Sequence, residues 1–297
     1  MLNPIIKIAR HAFLTLAVGV ACSTLAQAQQ VKFGLRAGLN IGNIIGEKES
    51  DENGMQLETM KAKTRISFAA TMKWAWTENF GMFTELGFIQ AGGYHRFEGK
   101  SYMRFPEANN QLFVGHQRLQ AMNIINGYLQ LPLGLYVEAF KKKVVFEGGV
   151  TFGLLISSKA WGVLKYTDNT YPDNHIEYNL DYNYLKDKAG QANTSATSSG
   201  RVGGNTIYNP TNIGAYYFNP EKEGNYFNRL DFALNVGVAY NLSKGLRLGT
   251  RFQYGLLDIT NNYYDYSLSK LENNSELIKR NDVDRNIGVQ IFVGLQF

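Results

Sequence analysis

The 297-residue chain has one cysteine, six prolines, four histidines and, beyond residue 30, no apolar run approaching the roughly 20 residues of a membrane-spanning helix. These shortages narrow the choices. Without such a run, any passage through a membrane must be made by strands. If Cys22 leaves with a leader, the remaining chain has no thiol, which suits an oxidising envelope where a stray thiol can mispair. The formal charge is only +5, and the Lys and Arg residues are scattered rather than clustered, which argues against nucleic acid as a partner. A hydrophobic content of 44% would by itself suit ordinary soluble domains.

The amino terminus carries an address. Lys7 and Arg10 form a positive region, Ala12 to Ala21 (AFLTLAVGVA) an apolar run of signal-peptide length, and Ala26-Gln27-Ala28 an A-x-A site. This predicts a signal peptide over 1–28, cleavage before Gln29 and a mature domain over 29–297. A competing reading makes Cys22 a lipidated first residue, but Gly19 stands where a lipobox usually has leucine.

The main signal in the rest of the chain is alternation with a period of two. In the last segment Ile287, Val289, Ile291, Val293, Leu295 and Phe297 share one parity, with Gly288, Gln290, Phe292, Gly294 and Gln296 on the other. The first segment repeats it: Val31, Phe33, Leu35, Ala37, Leu39 and Ile41 against Lys32, Gly34, Arg36, Gly38, Asn40 and Gly42. Six more strands are predicted at about 62–74, 80–95, 122–138, 144–158, 229–240 and 245–259. Pro132 lies in one of them and, having no N–H, predicts a bulge or a gap in pairing. The links alternate: long at about 46–61, 96–121, 159–228 and 260–284, short near 75–79, 139–143 and 241–244. That rhythm is expected of an all-β, antiparallel, up-and-down transmembrane barrel of about eight strands, with short periplasmic turns and long extracellular loops.

A secreted β-sandwich would also alternate, but its outer face meets water and would be polar. Here the apolar parity can face outward only against lipid. The other parity is rich in glycine and carries Arg36, Arg65, Glu85, Glu147, Asp231, Arg247 and Arg251. The interior of an eight-stranded barrel is narrow enough for side chains to fill, so these charges are expected to form a lumen network. Arg36, Glu85, Glu147, Arg247 and Arg251 fall in its lower and middle part. Trp74, Trp76, Phe80, Phe140 and Tyr240 near the short turns, and Tyr94, Trp161 and Tyr254 nearer the other rim, suit the two membrane interfaces.

The segments VKFGLRAGLNIGN, FTELGFIQAGGYH and YLQLPLGLYV and the terminal phenylalanine resemble the PorT-like outer-membrane β-barrel family. The resemblance covers most strands and none of the long loops. It implies an eight-stranded barrel of the cell outer membrane and, from the family name, an accessory role in protein export. Phe297 with Leu295 also resembles the signal read by the barrel-assembly machinery, although Phe292 stands where that signal commonly has glycine.

Catalytic chemistry has little support in the sequence. His95, His116 and His175 are the imidazoles of the mature part, and His95 with Ser101 could join an acid, but no nucleophile elbow accompanies them. The carboxylates at Asp282-Val283-Asp284 and Asp168 to Asp173 do not follow EF-hand spacing, and Gly203-Gly204 lacks the Lys and Ser/Thr of a phosphate loop. No metal or cofactor is expected. The link 159–228 is the most individual feature. Its centre, Gln191 to Gly204, is expected to be mobile, and YNLDYNYL to add a strand above the membrane. Tyr166, Tyr171, Tyr178, Tyr182, Tyr184, Tyr208, Tyr216 and Tyr217 offer contact area of the kind binding loops use. The expected function is a non-enzymatic barrel that anchors surface loops, for envelope structure or an extracellular partner at 159–228. The alternatives are a narrow pore or transporter, and an integral-membrane enzyme.

Overall fold

The computed structural model describes residues 31–194, 197–273 and 275–297. The expected signal peptide and cleavage site, with Cys22, lie outside them. The strands are β1 (Val31–Ile45), β2 (Glu58–Ala75), β3 (Phe80–Ala91), β4 (Gly93–Phe105), β5 (Gln111–Ala139), β6 (Val144–Thr167), β7 (His175–Asn183), β8 (Thr197–Val202), β9 (Asn205–Pro210), β10 (Asn212–Ile213), β11 (Leu230–Asn241), β12 (Leu246–Gly255), β13 (Tyr266–Glu272), β14 (Glu276–Lys279) and β15 (Arg285–Gln296). Among the described residues no helix is long and apolar enough to cross a membrane.

Eight antiparallel strands close on themselves in the order β1, β2, β3, β5, β6, β11, β12, β15 and back to β1. Leu295 is the seam, lying opposite Leu35 of β1 and Leu246 of β12. Closure removes the unpaired edges that lipid would not tolerate. The apolar parity faces outward: Leu35, Leu39, Ile291 and Val293 are each about half-exposed, whereas Arg36, Asn40 and Gln290 between them are buried. Trp76, Phe140 and Tyr240 are exposed beside the short turns, and Trp161 is exposed nearer the other rim. At Pro132 the β3–β5 ladder runs from Thr84↔Leu133 to Gly87↔Gln130 and omits the two steps between, while Pro132 still lies opposite Thr151 of β6. The missing donor therefore leaves its gap on one side only.

The extracellular part differs most from the sequence expectation. The chain at 96–121 is no loop. After a kink at Gly92, whose φ of 101° favours glycine, β4 continues the stave of β3 and returns through β5 as a long hairpin. β6 likewise runs on to Thr167 and pairs with β7, the added strand expected from YNLDYNYL. The alternation persists beyond the apolar belt with its sense changed. In β7, Ile176, Tyr178, Leu180 and Tyr182 are buried while Glu177, Asn179 and Asp181 are exposed. One face is polar because water is outside.

These inward faces form a single core above the barrel, including Phe105, Phe113, Leu164, Tyr166, Tyr178 and Phe227. Some hydroxyls enter buried surroundings with partners: Tyr166 donates to the Phe113 carbonyl at 2.9 Å and Tyr216 to the Tyr184 carbonyl at 2.7 Å. The segment expected to be mobile contains β8, which pairs with the following β9 around Gly203-Gly204, whose φ values of 56° and 78° suit a primed hairpin turn.

Candidate functional site

The lower lumen holds a compact charge cluster built from inward positions of five strands. Arg251 on β12 donates through Nη1 to Glu85 Oε2 at 2.8 Å and through Nη2 to Glu85 Oε1 at 2.9 Å. Its Nη2 also reaches Glu147 Oε2 at 2.9 Å. Arg36 on β1 shares Glu85 Oε2 at 2.8 Å, and Lys73 on β2 meets Glu147 Oε1 at 2.9 Å. Arg247 lies 3.7 Å from that same oxygen and donates to the Gln296 amide oxygen. Each carboxylate thus bridges cations from separate strands, which ties the barrel across its diameter. Glycines make the space: a Cβ at Gly249 would come within 2.6 Å of the Phe292 ring, and one at Gly294 within 2.8 Å of Arg247 Cγ.

Five of the seven charges named from sequence meet here, and two do not. Arg65 follows the inward parity, but its guanidinium makes a long hydrogen bond of 3.4 Å to the Thr64 carbonyl and, among the described residues, pairs with no carboxylate. Asp231 lies higher up among uncharged partners, where Asn286 donates to it at 2.9 Å and lies 3.2 Å from the Tyr128 hydroxyl. Lys73 was not named from sequence, yet it shares the inward parity of Ser67 and Ala69, and that parity alone could have found it. Around the cluster the lumen is filled by amides, including Gln290 to Gln253 at 3.2 Å and Asn235 to Thr151 at 2.9 Å. Cavities of about 20, 20 and 10 Å³ lie among these side chains. Each has room for no more than about one water-sized particle.

A second charged group joins the barrel rim to the β13–β14 hairpin. Arg280 donates to Glu58 at 3.1 and 3.2 Å and to Asp282 at 2.8 Å, and lies 3.8 Å from Asp265. His95 Nε2 lies 3.2 Å from Glu58 Oε1. Burial opposes ionisation of Glu58, but the His95 hydrogen bond and the His95 and Arg280 charges hold its carboxyl below the usual range. Asp265 is different: burial, together with the facing Asp282 carboxyl, pushes it up to about 8. Burial and Asp282 likewise raise Asp284 to about 6.

The residues considered for catalysis are held by other partners. His95 faces Glu58, and the Ser101 hydroxyl donates to the Leu268 carbonyl at 2.5 Å. His116 accepts from the Asn169 N–H at 3.2 Å, and His175 is in contact with the Asp173 carbonyl. Asp168 accepts backbone N–H bonds from Thr170, Tyr171 and Gly203, which makes it the clasp of a turn. No group of three metal-ligating side chains with suitable geometry occurs among the described residues. Six of the eight loop tyrosines, Tyr166, Tyr178, Tyr182, Tyr184, Tyr216 and Tyr217, lie in the cap core, leaving Tyr171 and Tyr208 exposed. An open concavity lies elsewhere: a cleft of about 780 Å³ bounded by Asp51 to Leu57, by Glu98 to Tyr102 on β4 and by Ser269 to Leu271 on β13.

A closed ring of eight antiparallel staves, apolar outside and charged within, defines a transmembrane β-barrel. The chain belongs to the outer membrane protein beta-barrel domain family, whose model matches residues 26–261. Among solved structures it is similar to Ail, the attachment invasion locus protein of Yersinia pestis, at 8% identity with a TM-score of 0.34, over 91% of this chain and 100% of that one. Neisserial surface protein A aligns at 9% identity and a TM-score of 0.33, over 89% and 97% of the two chains. OprG from Pseudomonas aeruginosa aligns at 12% and 0.31, over 90% and 96%. No curated protein matches the chain.

Proposed function

We propose that this outer-membrane barrel is a non-enzymatic anchor that holds a folded extracellular cap and binds an extracellular partner through it. The observation that carries the reading is that the extramembrane chain forms a cored body with a 780 Å³ cleft on its flank. Walls with Met55 and Val114 exposed beside Glu52, Glu98, Lys100 and Lys270 offer apolar contact framed by both signs of charge. The segment 159–228 supports this surface chiefly by filling the cap core, and its outer contribution is Tyr171, Tyr208 and the β8–β9 hairpin. The PorT-like segments extend the proposal to an accessory role in export. Leu295 and Phe297, exposed at the end of β15, are proposed as the contact for the barrel-assembly machinery.

The test is panning of a peptide-display library against cells carrying the protein. Peptides enriched on the parent should be lost from Met55→Asp and Lys270→Glu in the cleft and retained by Lys142→Glu at the periplasmic turn. Enrichment that survives both cleft variants, or no enrichment at all, rejects the binding role and leaves a structural envelope barrel.

A further inference from the structure

The lower lumen cluster is unequal in charge. Arg36, Lys73, Arg247 and Arg251 contribute four cations, and Glu85 and Glu147 two carboxylates, all of them buried. A further acid, Glu138, stands partly exposed at the β5–β6 turn and forms no ion pair with the cluster among the described residues. Neutral groups disperse part of the excess. The Arg36 guanidinium lies 4.7 Å from the Phe292 ring centre, Lys73 Nζ 4.5 Å from that of Tyr136, and Arg251 5.2 Å from that of Phe83. Ring faces and amide oxygens stabilise a cation without cancelling its charge. An uncompensated charge inside a lipid-walled barrel costs several kcal/mol.

The donors are also in excess. Arg36 Nη1 is buried and finds no acceptor among the described residues, although Nη2 of the same side chain serves both Glu85 and Gln290. Lys73 has three N–H donors and one carboxylate oxygen in reach. A cavity of about 20 Å³ lies where these meet, lined by Arg36, Lys73 and Arg247 as well as by Glu85, Glu147 and Gln296. It is large enough for one water or one small ion.

We infer that this cavity is a binding site for a single small inorganic anion of halide type, held by Arg36, Lys73 and Arg247. An anion there gives the orphaned Arg36 donor an acceptor and lowers the charge imbalance. The carboxylates that line the same cavity set the limit on its charge and size. A large oxyanion would press oxygen atoms against Glu85 and Glu147, whereas a monovalent ion can sit on the cationic side. The site also explains why three cations surround Glu147 when one would pair it.

The test uses the folded full-length barrel in detergent. Its unfolding midpoint, read from heat-dependent electrophoretic mobility, is followed in sodium chloride and in sodium gluconate at equal ionic strength. Chloride should raise the midpoint saturably, by about 5 °C. Lys73→Met should lose that rise, and Lys32→Met, at an exposed position, should keep it. Should Lys73→Met fail to fold, crystals of the parent grown in bromide decide the matter, with an anomalous peak expected between Arg36, Lys73 and Arg247. Equal midpoints in the two salts, a chloride effect undiminished by Lys73→Met, or a cavity with no bromide signal would overturn the inference.

Discussion

Arg251 and Glu85, 166 positions apart in the chain, meet across the lumen in a two-pronged ion pair of 2.8 and 2.9 Å. The planar guanidinium matches both carboxylate oxygens, and its remaining reach to Glu147 makes Arg251 the node of the cluster. Arg251→Met removes that node and takes from both carboxylates their best-aligned charge-assisted hydrogen bonds, leaving Glu85 to Arg36 and Glu147 to Lys73 and Arg247. Its urea unfolding in lipid vesicles should show a loss of about 3–5 kcal/mol. Asp231→Asn, at a site with an amide partner and no cation, should change stability by no more than about 1 kcal/mol. Equal losses would mean that the ion pairs do not act as a unit.

The same pairing predicts a poor conductor. With the lumen filled by side chains, planar bilayers containing the parent should show little steady current. Glu85→Ala or Glu147→Ala releases arginines toward water and should open the barrel more often. A large, stable conductance from the parent would move a pore to first place.

The outer face is checked at Ile291, which is about half-exposed in the middle of β15. Ile291→Arg should cost roughly 2–4 kcal/mol in vesicles, because arginine at the midplane meets hydrocarbon. Ile291→Leu should be close to neutral. If arginine were tolerated as well as leucine, the apolar parity would not face lipid.

Orientation follows from turn length. A protease added to whole cells should reach the exposed Lys186 and Lys188 beside β7 and should not reach Lys141 to Lys143. The reverse pattern with an intact envelope would invert the barrel.

The β13–β14 hairpin should loosen at alkaline pH. Asp265 binds its proton more tightly in the folded protein than in the unfolded chain, with a value of about 8 against an ordinary 3.8. The stability from this group is complete below about pH 4 and is lost as pH rises through about 8. Above that, Asp265, Asp282, Asp284 and Glu58 face the single guanidinium of Arg280. Proteolysis at Lys270 and Lys279, divided by the rate on unfolded chain at each pH, should increase from pH 6 to 9. Asp265→Asn should flatten the dependence. A flat profile in the parent would rule out a proton held on Asp265 in the folded hairpin.

The inside and the outside of the barrel were legible in the sequence, because side-chain direction in a strand depends only on parity. Ile287 to Phe297 and Val31 to Ile41 declare their faces without reference to any partner. The rhythm of long and short links was equally local, and so was the gap at Pro132, since the missing N–H belongs to the residue itself. Which charges meet was decided by the tertiary structure. Arg65 and Arg36 both take inward positions of their strands, yet the stagger of the closed ring brings Arg36 to Glu85 and leaves Arg65 without a carboxylate among the described residues. Lys73 enters the cluster for the same reason. The cap shows the same division at larger scale: alternation in IEYNLDY specifies a strand with two unlike faces, but cannot say whether the tyrosine face is a binding surface or a core. Tyr178 and Tyr182 are covered because β4, β5 and β6 extend above the membrane and supply an apolar surface for them, and burying aromatic area there stabilises the fold more than exposing it to water.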